Sequence, residues 1–307
     1  MRSFVLGVLG VLGMLWVAAV PGRARAEPDS LTDLLGPREI AVGEAMRGGA
    51  TGETGASENP SGLSLNRELV FEGGYGYRPT DSASLIGVSA CDSTNPLPGC
   101  FFYNYAGVSP EQGGMTVHRT THVGGVALSR MLVPRILLGT TTKYFHVTSD
   151  APGESNASGF AFDLGVTVRL TQILNLGVSA QNLYATRTSP EFPRAVGGGL
   201  YARPVPMLAL GFDARWRLDG SDHSARYGGG AELFLSGSGG QSGYPIRVGA
   251  LHDDGLGATY LSAGLGFAST TWGIDLAGRH EITGGSENLI IASMRFFGPR
   301  QPAPAIE

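Results

Sequence analysis

Charge is scarce in this chain. Asp, Glu, Lys and Arg make up 16% of its 307 residues and leave a net charge of −4. A sparse, slightly acidic surface excludes the basic face that nucleic acid requires. Long hydrophobic runs are missing beyond residue 20: no later stretch reaches the roughly 18 apolar residues of a spanning helix. Cysteine is limited to Cys91 and Cys100, nine apart in CDSTNPLPGC. A metal site would need further ligands nearby and none is present, so the pair reads as a disulfide closing a Pro-rich loop in an oxidising compartment. No catalytic constellation and no cofactor motif is visible. The chain is not read as an enzyme, and no cofactor or metal is assigned.

Glycine is abundant instead, at 48 residues. Long helices tolerate that poorly, whereas short turns and crowded sheet surfaces accept it. Residues 1–26 read as a signal peptide. Arg2 supplies the positive start, Phe4–Val20 the apolar run, and Ala24-Arg25-Ala26 the cleavage site. Cleavage there removes three arginines, takes the net charge to −7 and leaves a mature chain that begins at Glu27.

The stretch Gly159–Leu170, GFAFDLGVTVRL, alternates apolar and polar residues. Phe160, Phe162, Leu164, Val166, Val168 and Leu170 share one face, with Asp163 and Arg169 on the other. Only a strand separates such a pattern into two faces. The pattern recurs along the chain with tight turns at Val133-Pro134, Thr171-Gln172, Pro204–Pro206 and Ser269-Thr270, and with longer polar connections between them. Strands of ten to twelve residues suit a tilted membrane crossing, and short turns alternating with long loops characterise bacterial outer-membrane barrels. The expected fold is all-β: a transmembrane, antiparallel, up-and-down barrel occupying residues 66–297. Fourteen strands are expected. Twelve remain if residues 83–107 form no pair. Tyr184, Trp216 and Trp272 sit where interface aromatics belong.

Residues 27–65 differ. Ser30–Leu35 suits a short helix, and Gly43–Leu63 is too small-residued to build a core, so it either packs inside something or stays loose. A lumen plug is the expected role. The inward face carries Glu72, Lys143, Asp163, Arg169, Asp213, Arg215, Glu232, Asp275 and Arg279, with Glu68, Arg217, Arg247, Glu281 and Arg295 in the same register. These charges either line an aqueous path or form an ion-pair network that fills the barrel and holds the plug. Buried charges need partners, and inward glycines at 197, 199, 228, 230, 264 and 266 suit close packing against an inserted segment, which favours the network. His252-Asp253-Asp254 offers at most a lone cation or base pair. His118 and His122 lack a third metal ligand and read as polar rim residues.

The segment Arg47–Leu63, RGGATGETGASENPSGL, with Asn59, Pro60, Ser61, Gly62 and Leu63 just before the first strand, resembles the N-terminal signature of the FadL/OMPP1/TodX and PorV-like outer-membrane families. That resemblance implies a fourteen-stranded barrel with its N-terminal segment folded into the lumen. The chain is shorter than a typical FadL-type transporter and lacks long outer loops, which shifts the resemblance toward the PorV-like members. The terminal strand, ending in Phe296-Phe297, resembles the signal read by barrel-insertion machinery, and residues 298–307 form a periplasmic tail. Outer-membrane lipid and the insertion machinery are the expected partners, with envelope-complex proteins as a further class and nucleic acid excluded. Two functions stay open. One is passive, porin-like transport of a small, apolar or polar solute across a Gram-negative outer membrane. The other is a scaffold in a trans-envelope assembly for secretion, polysaccharide export or surface motility. An open lumen favours the first and a filled lumen the second.

Overall fold

The computed structural model describes residues 36–112, 114–187, 191–219, 224–237, 241–283, 285 and 287–301. The signal peptide, the Ser30–Leu35 helix and the last six residues lie outside the described residues. No described helix is long and apolar enough to cross a membrane. The crossing is made by strands.

In chain order these are β1 (Arg67–Arg78), β2 (Ala83–Asp92), β3 (Gly99–Val108), a two-residue ribbon of β4 (Glu111–Gln112) and β5 (Met115–Thr116), β6 (Arg119–Val133), β7 (Ile136–Ser149), β8 (Ala157–Arg169), β9 (Leu174–Ala185), β10 (Ala195–Val205), β11 (Leu208–Arg217), β12 (Ala225–Ser236), β13 (Ser242–Asp253), β14 (Ala258–Ser269), β15 (Trp272–Glu281) and β16 (Asn288–Gln301). All but the ribbon pair antiparallel into one closed barrel of fourteen strands. The ribbon sits in the connection between β3 and β6, which pair directly. Residues 83–107, the weakest part of the sequence pattern, form the true pair β2–β3, so the alternative of twelve strands falls away. β6 starts only at Arg119, because Met115–Thr116 belongs to the ribbon. β16 runs to Gln301, beyond the expected boundary at 297. Arg300 and Gln301 complete the closing ladder opposite Glu68 and Arg67, so residues 298–301 belong to the barrel rather than to a tail.

The faces separate as the alternation requires. Along β8, Phe160, Phe162 and Leu164 are 48%, 37% and 54% exposed, while Asp163 between them is 2% exposed. A band of exposed Leu, Ile, Val, Phe and Tyr encircles the outside, with Tyr184, Trp216 and Trp272 near strand ends. In lipid, such a band is the stable exterior and a closed ladder satisfies every strand amide.

Residues 36–64 lie inside the barrel. They comprise α1 (Pro37–Ala41), α2 (Glu53–Ser57) and a 3₁₀ turn over Pro60–Ser64. Pro37 and Pro60 each occupy a first helical position, where a missing N–H costs nothing. α1 leans on β13–β16, and the 3₁₀ turn leans on β6–β8. The plug backbone runs against wall glycines. A Cβ on Gly228 would lie 2.0 Å from the Gly43 carbonyl oxygen, and one on Gly230 2.5 Å from that of Val42. Gly197 accommodates Arg47, Gly199 the carboxylate of Asp213 that Arg47 grips, and Gly264 the Ala41 methyl. Gly266 instead makes room for the neighbouring wall residue Asp275. The sequence reading did not single out Gly139, Gly165, Gly177, Gly211 and Gly249, which make equally close approaches to plug atoms.

Cys91 and Cys100 are disulfide-bonded and directly opposite in the β2–β3 register. Both side chains point inward, into an apolar cluster with Ala56 and Leu63 of the plug. Gly228→Val is therefore expected to expel the plug while leaving the barrel closed. Limited proteolysis should newly cut between residues 36 and 64, and the unheated protein should keep its folded mobility on a gel.

Candidate functional site

Asn59 is the hub of the plug. It is fully buried, and its side chain caps the 3₁₀ turn by accepting from the Ser61 amide at 3.3 Å. Its amide nitrogen donates to the Arg47 carbonyl at 2.8 Å and to Thr167 Oγ1 on β8 at 3.1 Å. Ser61 Oγ lies 2.7 Å from Asn59 Oδ1 and 2.8 Å from Thr167 Oγ1. Pro60 sits where Gly139 leaves space, and Leu63 is 2% exposed. One residue thus ties two turns of the plug to the wall. Burial of its amide is offset because each of these polar atoms finds a partner.

The inward charges form pairs and chains rather than an open rim. Arg47 of the plug donates its backbone N–H to Asp213 at 2.9 Å, its Nη1 to the same carboxylate at 3.1 Å and its Nε to Ser179 at 2.8 Å. Arg38 meets Glu232 at 3.0 Å. Glu232 also takes Arg247 at 2.7 Å, Arg247 reaches Asp275 at 2.5 Å, and Asp275 also pairs with Arg295. Glu44 meets Arg279 at 3.0 Å, and Arg279 reaches Glu287 at 2.6 Å. Arg78 joins Glu287 to Asp81. Lys143, the single lysine of the chain, meets Asp163 at 2.9 Å. Asp163 also accepts the Asn182 N–H at 2.6 Å, where the β8–β9 register slips and Asn182 takes φ 53°.

Of the expected inward charges, Glu232, Asp275, Arg247 and Arg295 gather into one chain. Asp213 and Arg279 join the plug, and Lys143 pairs with Asp163 across neighbouring strands. Glu72 accepts from Ser293 at 2.7 Å, and Arg215 lies on the inner face of β11. Arg169 is at the short-turn rim, where it donates to the Pro134 carbonyl at 3.2 Å. It lies outside the networks because the strand ends there. Sequence reasoning did not identify Arg38, Glu44 and Arg47 as the plug's half of these pairs, nor Arg78. Their signal was present: charged residues inside an otherwise small-residue segment need partners if that segment is buried.

A second arc of the interior is apolar. Phe102, Val123, Phe145 and Val147 form a cluster that reaches Phe192 at the long-loop end and Leu63 and Ala56 of the plug at the other. Phe192 stacks on Phe145 with ring centroids 4.4 Å apart. At the short-turn mouth a cavity of about 470 Å³ is lined by arginines 38, 67, 247, 295 and 300, with Glu68, Glu232, Phe234 and Phe297.

The histidines build no centre. His252 Nε2 lies 3.1 Å from Asp254, while Asp253 pairs with Arg226. His118 precedes β6 and contacts Ser109, whereas His122 is on the outer face beside Tyr103 and His146. The four-residue spacing therefore does not bring His118 and His122 together on one strand. Among the described residues no group of three or more potential ligands could hold a metal ion.

The fold has counterparts among solved structures. The fold is that of the FadL-like outer-membrane channels. A structure described as the CymD monoaromatic hydrocarbon channel superposes with a TM-score of 0.66 at 12% identity, over 86% of this chain and 97% of that one. The Pseudomonas putida toluene transporter TodX gives 0.64 at 12% identity, over 87% and 99%. A Pseudomonas aeruginosa FadL homologue gives 0.65 at 10% identity, over 85% and 98%. No protein-family model and no curated protein matches the sequence.

Two outcomes follow from the pairing. Arg47→Ala strands the buried Asp213 carboxylate, so plug docking should weaken by about 3–5 kcal/mol, seen as faster hydrogen exchange over residues 36–64. At the long-loop end, burial alone would raise the Glu287 carboxyl, but Arg279 and Arg78 outweigh it and hold it below the usual glutamate range. A lowered folded value contributes stability that is present at neutral pH and lost as pH falls through that value. Glu287→Gln should lower thermal stability at neutral pH and flatten its decline on acidification.

Proposed function

We propose that this chain is an outer-membrane channel that passes a small apolar solute passively. The observation that carries the reading is the apolar arc from Phe192 through Phe145 and Phe102 to Leu63. It offers a water-excluding track alongside the charged network, which an ion or sugar pore would not need. The short-turn end, where the closing strand reaches Gln301, is the periplasmic end. The signal peptide carries the chain past the inner membrane, and the insertion machinery reads the terminal strand that carries Phe296-Phe297. Two of the solved structures with this fold are described as channels or transporters of toluene and monoaromatic hydrocarbons, which supports an apolar solute here. Passage requires the Asn59–Leu63 turn to leave β7 and β8, because the plug closes the track below Phe102.

One observation favours the second reading, a scaffold in a trans-envelope complex. The lumen is filled, with plug backbone pressed against wall glycines. Single-channel recording separates the two. The refolded mature protein and a variant lacking residues 43–63 are inserted into planar bilayers, and liposome uptake of toluene is followed in parallel. Transport predicts that current and uptake rise when the segment is removed. Silence and no uptake in both forms, with insertion verified, would leave the scaffold, and a pull-down from envelope extracts becomes the next step.

A further inference from the structure

We infer that the plug carries a proton-operated latch: Glu53 and Glu58 seat as neutral carboxyl groups, and their ionisation releases residues 53–64 from the wall. The inference rests on the plug as an inserted segment and is independent of what the channel carries.

Glu53 opens α2 and Glu58 follows its last residue. They are 4% and 7% exposed, yet Glu53 Oε1 and Glu58 Oε2 are buried with no hydrogen-bond donor. Arg38, Glu44 and Arg47 of the plug each meet an opposite charge on the wall, whereas Glu53 and Glu58 do not sit beside one. The wall explains why. α2 packs against β2, β3 and β6, whose inward positions there are uncharged: Ser89 and Cys91, Phe102 and Asn104, Val123 and Ala127. Arg119, at the far end of β6, is already paired with Glu154 and Glu191. The 3₁₀ turn Pro60–Ser64 has no titratable group.

The charged groups that do act on the pair are mostly of the wrong sign. Glu53 feels Glu39 on α1 and Glu72 on β1, and its one cation, Arg295 on β16, belongs to Asp275. Glu58 feels Glu39, Glu44 and Asp213, and its one cation, Arg47, belongs to Asp213. Two anions here would be buried without a counter-charge, which costs several kcal/mol per ion. Neutral carboxyls cost far less and regain a donor. Burial first, then the neighbouring carboxylates, accordingly push both groups well above the ordinary glutamate value.

The sign follows. A carboxyl whose seated value lies above its free value favours the seated plug at low pH. That preference is lost as pH rises from the free value of 4.5 toward the seated one, by up to about tenfold per pH unit for each carboxyl. Alkaline conditions loosen the latch and acid locks it.

The test is hydrogen exchange on the full mature protein in detergent, from about pH 5 to about pH 9, with protection factors corrected for the intrinsic rate. Residues 53–64 should lose protection by at least about tenfold in the wild type, while β7 and β8 stay protected. The Glu53→Gln/Glu58→Gln protein should hold the plug across the range, and each single variant should show a shallower slope than the wild type. Wild-type protection that does not change with pH, or an unchanged slope in the double variant, would overturn the latch. If the double variant fails to insert, the wild-type series and the singles still decide. Conductance recorded in parallel keeps the two claims apart: silent channels with pH-dependent protection would sink transport and leave the latch standing.

Discussion

Closure governs this molecule. A sheet in lipid can leave no strand edge unpaired, because nothing there hydrogen-bonds a bare amide. β1 must therefore meet β16, and the ladder between them runs to Arg67 and Gln301 at the short-turn end. Once the ring is closed, each strand has one face in hydrocarbon and one in the lumen. The two-residue period of the sequence is the direct consequence of that division.

The lumen then sets its own terms. Fourteen strands enclose more space than their inward side chains fill, and this chain fills part of it with its own N-terminal segment. Where the plug backbone comes closest, the wall has glycine, since any Cβ at Gly177 or Gly211 would fall about 2 Å from a plug carbonyl oxygen. Where the plug bears Arg38, Glu44 and Arg47, the wall bears the opposite charge, because an unpaired ion in that interior is costly. Arg47 with Asp213 and Arg38 with Glu232 are the visible results. The same segment thus has three kinds of contact: backbone against glycine, ion against ion, and a few apolar side chains, Ile40 and Leu63 among them, seated in wall clusters.

The interior is also divided laterally. The longest charged chain runs from β12 to β16, while the arc from β2 to β8 holds the apolar cluster beside the Lys143–Asp163 pair. α2 faces the apolar arc with two glutamates that the other arc could have neutralised. This misplacement of charge makes the plug responsive on the alkaline side, because paired carboxylates titrate only at lower pH.

The sequence by itself determined the strand-built barrel and which residues face outward, while the choice of fourteen strands over twelve came from the β2–β3 pairing. The first two properties follow from a local period of two and from turn residues, and GFAFDLGVTVRL carries both faces in twelve residues. It also marked the segment ending in Asn59–Leu63 as separate from the strands, since small residues with no period cannot form one. Only the tertiary structure decided who meets whom. The approach of Asn59 to Thr167, and of Arg47 to Asp213, spans more than a hundred residues of chain. Periodicity places a side chain on a face but says nothing about what crosses the lumen to meet it. The same limit hid the apolar arc, since Phe102, Phe145 and Phe192 lie on two strands and a loop that become neighbours only when the barrel closes.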